Sequence, residues 1–254
     1  RAHDEVCMMT TQHPFFRHYR QLIVLASLVF ATALCAGLLV LRIAYSHETL
    51  YLHLLWNLFL AWLPVISSFF AYNLYRRNLH ISTPLVVGAA FIWLLFFPNA
   101  PYLLTDLIHL HPAGNVPHWY DLILLVAFGW TGAFLGLVSL YLMQTLIRRA
   151  IGALSSWIFA LGALGAGSFG IYLGRFLRWN SWDLLTNPSL ILRDILERLR
   201  HPMAHMQTFV FSMILFLFLM ATYGMVMAMI QLNDDVKRTA RSEEHTSELQ
   251  SLLI

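Results

Sequence analysis

The sequence predicts an all-α membrane protein, a polytopic bundle of about six transmembrane helices with one short interfacial amphipathic helix. Three observations carry this. The 254 residues are 59% hydrophobic and only 11% charged, against about 25% charged in an ordinary soluble domain. The apolar residues come in long uncharged runs of the length a spanning helix needs, roughly 20 residues. No Asp, Glu, Lys or Arg lies between Arg20 and Arg42, Glu48 and Arg76, Arg77 and Asp106, Asp121 and Arg148, Arg149 and Arg175, or Arg200 and Asp234. Finally, the ten-residue alternation of a β-barrel is absent from these runs. In lipid each backbone amide must find its partner within its own segment, so the runs are helices.

The first crossing covers about 21–43 and follows a polar lead of 20 residues. That lead has no small-x-small cleavage site in a suitable place, so the segment is read as a retained helix rather than a signal peptide. The second covers about 50–74, with Pro64 as a kink. The third starts near Pro84, a residue suited to a first helical turn, and is broken by Pro98 and Pro101. The fourth, fifth and sixth cover about 120–146, 152–174 and 205–231. Gly162, Ala166, Gly170 and Gly174 recur every fourth residue in the fifth crossing, a bare face on which a neighbouring helix can pack; Gly132 and Gly136 share that spacing in the fourth. Between the last two crossings, Asn187-Pro188 opens a short amphipathic helix. Leu192, Ile195, Leu196 and Leu199 face one way, and Arg193, Asp194, Glu197 and Arg198 the other, a pattern for the membrane interface.

The ends stand apart from this body. Residues 1–20 read as a cytoplasmic segment, 21–232 as the transmembrane domain and 233–240 as a cytoplasmic tail. The stretch from Arg241 to Ser251 resembles the translation of a sequencing-library adapter, so 241–254 is expected to carry no biology. Two cysteines, Cys7 and Cys35, make no disulfide framework. The net charge of +3 forms no basic stripe, which excludes nucleic acid as a partner.

Arginines in short loops orient a membrane protein. Arg1, Arg17, Arg20, Arg76, Arg77, Arg148, Arg149, Lys237 and Arg238 fall on one side of a six-crossing arrangement, which places both termini in the cytoplasm. The loop between the third and fourth crossings has none. The loop between the fifth and sixth disagrees, because it is expected outside yet carries Arg175, Arg178, Arg193, Arg198 and Arg200.

The outward loops collect the polar chemistry. His47, Glu48 and His53 lie around the start of the second crossing. Asn99, Asp106, His109 and His111, then Tyr120 and Asp121, follow the third. Arg175, Arg178, Asn180 and Asp183 follow the fifth. Ionisable groups at membrane depth are costly and tend to pair or to serve a site. Asp106 and His109, three apart, share a face if Thr105 caps a short helix; Arg175 and Arg178 do likewise. Two readings stay open. One is an interhelical salt-bridge clamp. The other is a ligand site, with Asp106 and His109 as acid and base and with Asn99, Tyr120, Asp121, Arg175, Arg178, Asn180 and Asp183 binding an anionic group. A metal site on Asp106, His109, His111 and Asp121 has against it that the spacing matches no zinc motif. No metal or cofactor is assigned.

The segment Leu95-Phe-Phe-Pro-Asn-Ala-Pro-Tyr-Leu-Leu-Thr-Asp-Leu-Ile-His109, with Trp119-Tyr-Asp121 and Gly167-Ser-Phe-Gly-Ile-Tyr-Leu-Gly-Arg-Phe-Leu-Arg-Trp-Asn-Ser-Trp-Asp183, resembles domain-of-unknown-function family 1361. The resemblance spans most of 20–235. It implies a multi-pass protein of the bacterial inner membrane, with no assigned activity and no catalytic residues to carry over. The functional expectation is an outward-facing polar pocket that binds or acts on an anionic envelope or lipid-linked substrate. The alternatives are a transporter, against which no acid or base sits at mid-membrane, and a structural or assembly subunit.

Overall fold

The computed structural model describes residues 14–76, 82–110 and 116–252; His111, Arg77 and Cys7 lie outside them. The described residues are helical throughout apart from short connections. The helices are α1 Pro14–Ser46, α2 His53–Arg76, α3 Ser82–Phe96, α4 Asn99–Tyr102, a 3-10 helix Leu103–His109, α5 His118–Ile151, α6 Ala153–Leu177, α7 Asp183–Thr186, α8 Pro188–Arg200 and α9 Met206–Leu252. Among the described residues, six segments are long and apolar enough to cross a membrane: Gln21–Ser46, His53–Tyr75, Pro84–His109, His118–Ile151, Ala153–Leu177 and Met206–Asn233. Large side chains such as Phe30, Phe59, Phe91, Trp130, Ile158 and Phe218 are exposed along them, which fits lipid rather than water as the surrounding solvent. The fold is an all-α polytopic membrane protein.

The chain falls into two compact units, Arg1–Ala150 and Ile151–Ile254. In the first, α2 packs along α3 and against α4. Its core joins Leu28, Cys35 and Leu39 of α1 to Leu54, Leu58, Ala61 and Val65 of α2, and to Leu124, Leu125, Phe128 and Leu135 of α5. Ala100 and Leu103 of the segment after α3 complete it. Pro64 lies within α2, which stays continuous around it.

The third crossing differs from its sequence reading in an instructive way. Pro98 and Pro101 end α3, but they do not release the chain into a loop. Pro98 caps α4 and Pro101 lies in its first turn, where a missing N–H removes no helical hydrogen bond. The chain stays helical to His109, so what reads as loop is the far end of the crossing.

Glycine lets this segment lie directly on α5. A Cβ at Gly132 would stand 2.5 Å from the Ala100 carbonyl oxygen and 2.6 Å from Leu103 Cδ1. One at Gly129 would meet Leu104 Cα at 3.2 Å, and one at Gly136 Pro101 Cδ at 3.2 Å. The small face of the fourth crossing therefore serves the broken segment within its own unit. Gly162 of the fifth has nothing within 4 Å of its Cβ position, so no close approach uses that point of the predicted face.

Polar residues in the helix middles are spent on packing. Ser67 donates to the Ala89 carbonyl at 2.6 Å and Trp93 Nε1 to Ser139 Oγ at 3.1 Å. In the second unit α6 packs on α9, with Phe176 edge-on to Phe211 at 5.1 Å between ring centroids. There Ser168 bonds back to Leu164 at 2.8 Å. The short helix α8 forms as the sequence predicts. Leu192, Leu196 and Leu199 are exposed, while Asp194 accepts a 2.8 Å bond from Trp179 Nε1 and its carbonyl a 2.7 Å bond from Arg198.

Candidate functional site

Four ends meet at one face of the first unit: the C-terminal end of α1, the N-terminal ends of α2 and α5, and the 3-10 helix. Arg148 and Arg149 lie at the other end of α5, about 40 Å from Asp121 at the helical rise of ~1.5 Å per residue.

The site rests on a buried ion pair. Arg42 is 1% exposed and Asp121 1% exposed. Arg42 Nε donates to Asp121 Oδ1 at 2.7 Å and Nη2 to Oδ2 at 3.1 Å, the two-pronged geometry in which guanidinium and carboxylate bind best. Glu48 adds a longer contact at 3.9 Å. The guanidinium carbon also lies 4.6 Å from the centroid of the Tyr51 ring, a cation–π arrangement. Arg42 Nη1 is buried and has no hydrogen-bond partner. Arg42 is one of the residues lining a groove of about 410 Å³, with Leu41, Tyr45, Val116, Pro117 and Tyr120.

Tyr51 connects this pair to a second cluster, because its hydroxyl donates to the His109 carbonyl at 3.2 Å. His53, Asp106 and His109 there bring one donor atom each within 4.8 Å of one another. The His53 and His109 rings meet edge-on, 5.6 Å between centroids. Asn57, one turn below His53, donates from Nδ2 to Asp106 Oδ2 at 3.1 Å. Asp106 is fully buried while both imidazoles are exposed. The backbone explains the alignment. In a 3-10 helix residues three apart eclipse, so Asp106 and His109 of Leu103–His109 share a side. Thr105 does not cap this helix; it lies inside it, its hydroxyl bonded to the Tyr102 carbonyl at 2.7 Å.

The remaining sequence-predicted residues are placed as follows. Tyr120 bonds the Leu38 carbonyl through its hydroxyl at 2.8 Å and lines the groove. Asn99 turns back to the Phe96 carbonyl at 3.2 Å. In the second unit, Asp183 Oδ2 accepts from the Asn180 backbone at 2.7 Å and from its amide at 3.3 Å, which closes the turn before α7. Arg175 lies in the last turn of α6 and Arg178 caps it with φ of 62°. Asp106, His109, Tyr120 and Asp121 thus belong to the first unit, and Arg175, Arg178, Asn180 and Asp183 to the second.

Sequence reasoning placed His53 among the outward polar residues without assigning it to the site, and missed Arg42, Tyr51 and Asn57. His53 and Asn57 had a signal, since they are four apart at the start of a helix and therefore on one face. Arg42 had only its position at the end of the first uncharged run.

No curated protein and no solved structure matches the chain. A family model described as protein of unknown function (DUF1361) matches residues 56–239. That range includes Asn57, Asp106, His109 and Asp121 and begins after Arg42, Tyr51 and His53. With most of its length matched, from the second crossing through the sixth, this multi-pass membrane protein belongs to the DUF1361 family.

Proposed function

We propose that the protein holds an anionic, lipid-linked ligand at the outward face of a bacterial inner membrane. The groove beside Arg42 carries this reading. Leu41, Val116 and Pro117 give it an apolar wall suited to a hydrocarbon chain. Arg42 is part of the same lining, and its guanidinium, whose Nη1 has no hydrogen-bond partner, would pair with a phosphate or carboxylate oxygen that displaces the side chains now covering it. Asp121 fixes the guanidinium rather than binding ligand. The outward orientation rests on the arginines of the short loops, and a share for Arg175 and Arg178 rests on the count of crossings alone.

The test is lipid retention. Native mass spectrometry of the detergent-purified protein, incubated with phosphatidylglycerol or phosphatidylcholine, should show selective retention of the anionic lipid. Val116→Trp fills the groove while leaving Arg42 itself unsubstituted, and should reduce that retention at least tenfold. Equal retention of both lipids, or no effect of Val116→Trp, would overturn the proposal. A single thiol at position 109, in a chain lacking Cys7 and Cys35, should label from outside the cell; labelling only from the cytoplasm would reverse the orientation.

The buried Arg42–Asp121 pair favours a second role for part of the cluster, a structural clamp between α1 and α5. Both roles coexist, since the clamp occupies Asp121 and leaves the groove open.

A further inference from the structure

We infer that His53, Asp106 and His109 form a binding site for a divalent transition-metal ion of the zinc class, a deepening that rests on the ligand site proposed above. Three protein donors with one coordination position left to water or ligand is the pattern of reactive zinc sites, and two imidazoles with one carboxylate suit zinc, iron or manganese.

The geometry is close to what such an ion demands. The three donor atoms lie within 4.8 Å of one another. Around a tetrahedral ion with bonds of 2.0–2.1 Å they would stand about 3.3 Å apart. Contraction by about 1.5 Å or less is within reach of rotation about χ1 and χ2 of two exposed imidazoles. Asp106 needs no such freedom. It is buried, and Asn57 holds its Oδ2, the kind of outer contact that orients a ligating carboxylate. The His109 backbone is held in turn by Tyr51, whose ring stacks on Arg42. The donors come from two elements, the first turn of α2 and the 3-10 helix. This is why their spacing along the chain, 53, 106 and 109, matches no linear zinc motif.

The location gives the ion a task. Exposed imidazoles leave the open position accessible from the aqueous side, and Tyr51 bridges the cluster to Arg42 at the groove. A ligand whose chain lies in the groove and whose anionic head meets Arg42 has the metal within the same polar face. The ion would contribute a second positive partner for the head group.

The experiment uses the full chain, purified through a histidine-free tag, stripped with a chelator and loaded with Zn²⁺ or Co²⁺. One ion per chain is expected by elemental analysis after desalting. The Co²⁺ form should show visible d–d absorption that Zn²⁺ abolishes. His53→Gln and His109→Gln should each reduce the bound ion at least tenfold and remove the absorption. Asn57→Leu should weaken affinity roughly tenfold, the usual effect of losing an outer contact. His118→Gln, outside the cluster, should change nothing. A wild-type protein that takes up neither ion, or a monodisperse His53→Gln protein that keeps full stoichiometry and spectrum, would overturn the inference. If the variants fail to fold, the wild-type cobalt spectrum decides alone. Lipid retention is measured on the stripped protein, so it can succeed while metal binding fails, and the reverse.

Discussion

Replacing Gly132 by alanine probes whether the broken third crossing depends on contact with α5. The added Cβ would stand 2.5 Å from the Ala100 carbonyl oxygen, 2.6 Å from Leu103 Cδ1 and 2.8 Å from Leu103 Cβ, where ordinary contact starts at 3.4 Å. The segment must therefore retreat by about 0.9 Å, and its nearest atom belongs to the backbone, which cannot rotate away. Alanine gains about 1 kcal/mol of helix propensity over glycine. Overpacking a filled site costs typically 1–3 kcal/mol, and contact with backbone places this one at the upper end. The net is a destabilisation of about 2 kcal/mol, several degrees in melting temperature for a chain of this size. Gly162→Ala is the control, because its Cβ would meet nothing within 4 Å; it should be neutral or mildly stabilising. Thermal unfolding in detergent, followed by tryptophan fluorescence, measures both. A Gly132→Ala protein as stable as Gly162→Ala would refute the reasoning.

Other perturbations have equally direct readouts. Arg42→Met leaves Asp121 buried without its cation and should cost about 3–5 kcal/mol; Arg42→Met with Asp121→Leu should recover most of it, measured by yield of monodisperse protein and by melting temperature. Arg178 occupies the left-handed region with φ of 62°, where a side chain costs about 1–2 kcal/mol. Arg178→Gly should raise the melting temperature, and a simultaneous loss of anionic-lipid retention would mark the arginine as kept for binding. Gly152 separates α5 from α6 with φ of 102° and open space around its Cβ position. Gly152→Ala should therefore destabilise by backbone strain alone, roughly 1–3 kcal/mol, and a neutral result in the same unfolding assay would show that the connection relaxes.

The crossings were legible because each run of apolar residues matches the bilayer on its own, without reference to any other part of the chain. Asp106 and His109 were legible for a related reason, since a spacing of three marks a shared side in any helical backbone. What the sequence could not show is which distant residue meets them. Arg42 reaches Asp121 across 79 positions and Asn57 reaches Asp106 across 49, and nothing local in either segment records the pairing. The prolines misled in their own way. Pro98 and Pro101 correctly mark the end of α3, but a proline that ends one helix can equally open the next. The glycines of the fourth crossing were recognised as a surface for close approach, while the occupant of that surface is the segment containing Pro101 rather than a straight helix.

The separation of 79 positions between Arg42 and Asp121 also has a meaning in time. A ribosome adding about 5–20 residues per second delivers the aspartate roughly 4–16 s after the arginine. For that interval the cation at the end of the first helix has only the longer contact of Glu48, at 3.9 Å, to meet it, so it is held near the headgroups, where water can still solvate the guanidinium. Arrival of the fourth crossing removes that restraint and lets the first helix settle. The ion pair thereby sets an order of assembly within the first unit, in which α1, first to be made, docks fully only once α5 is in place.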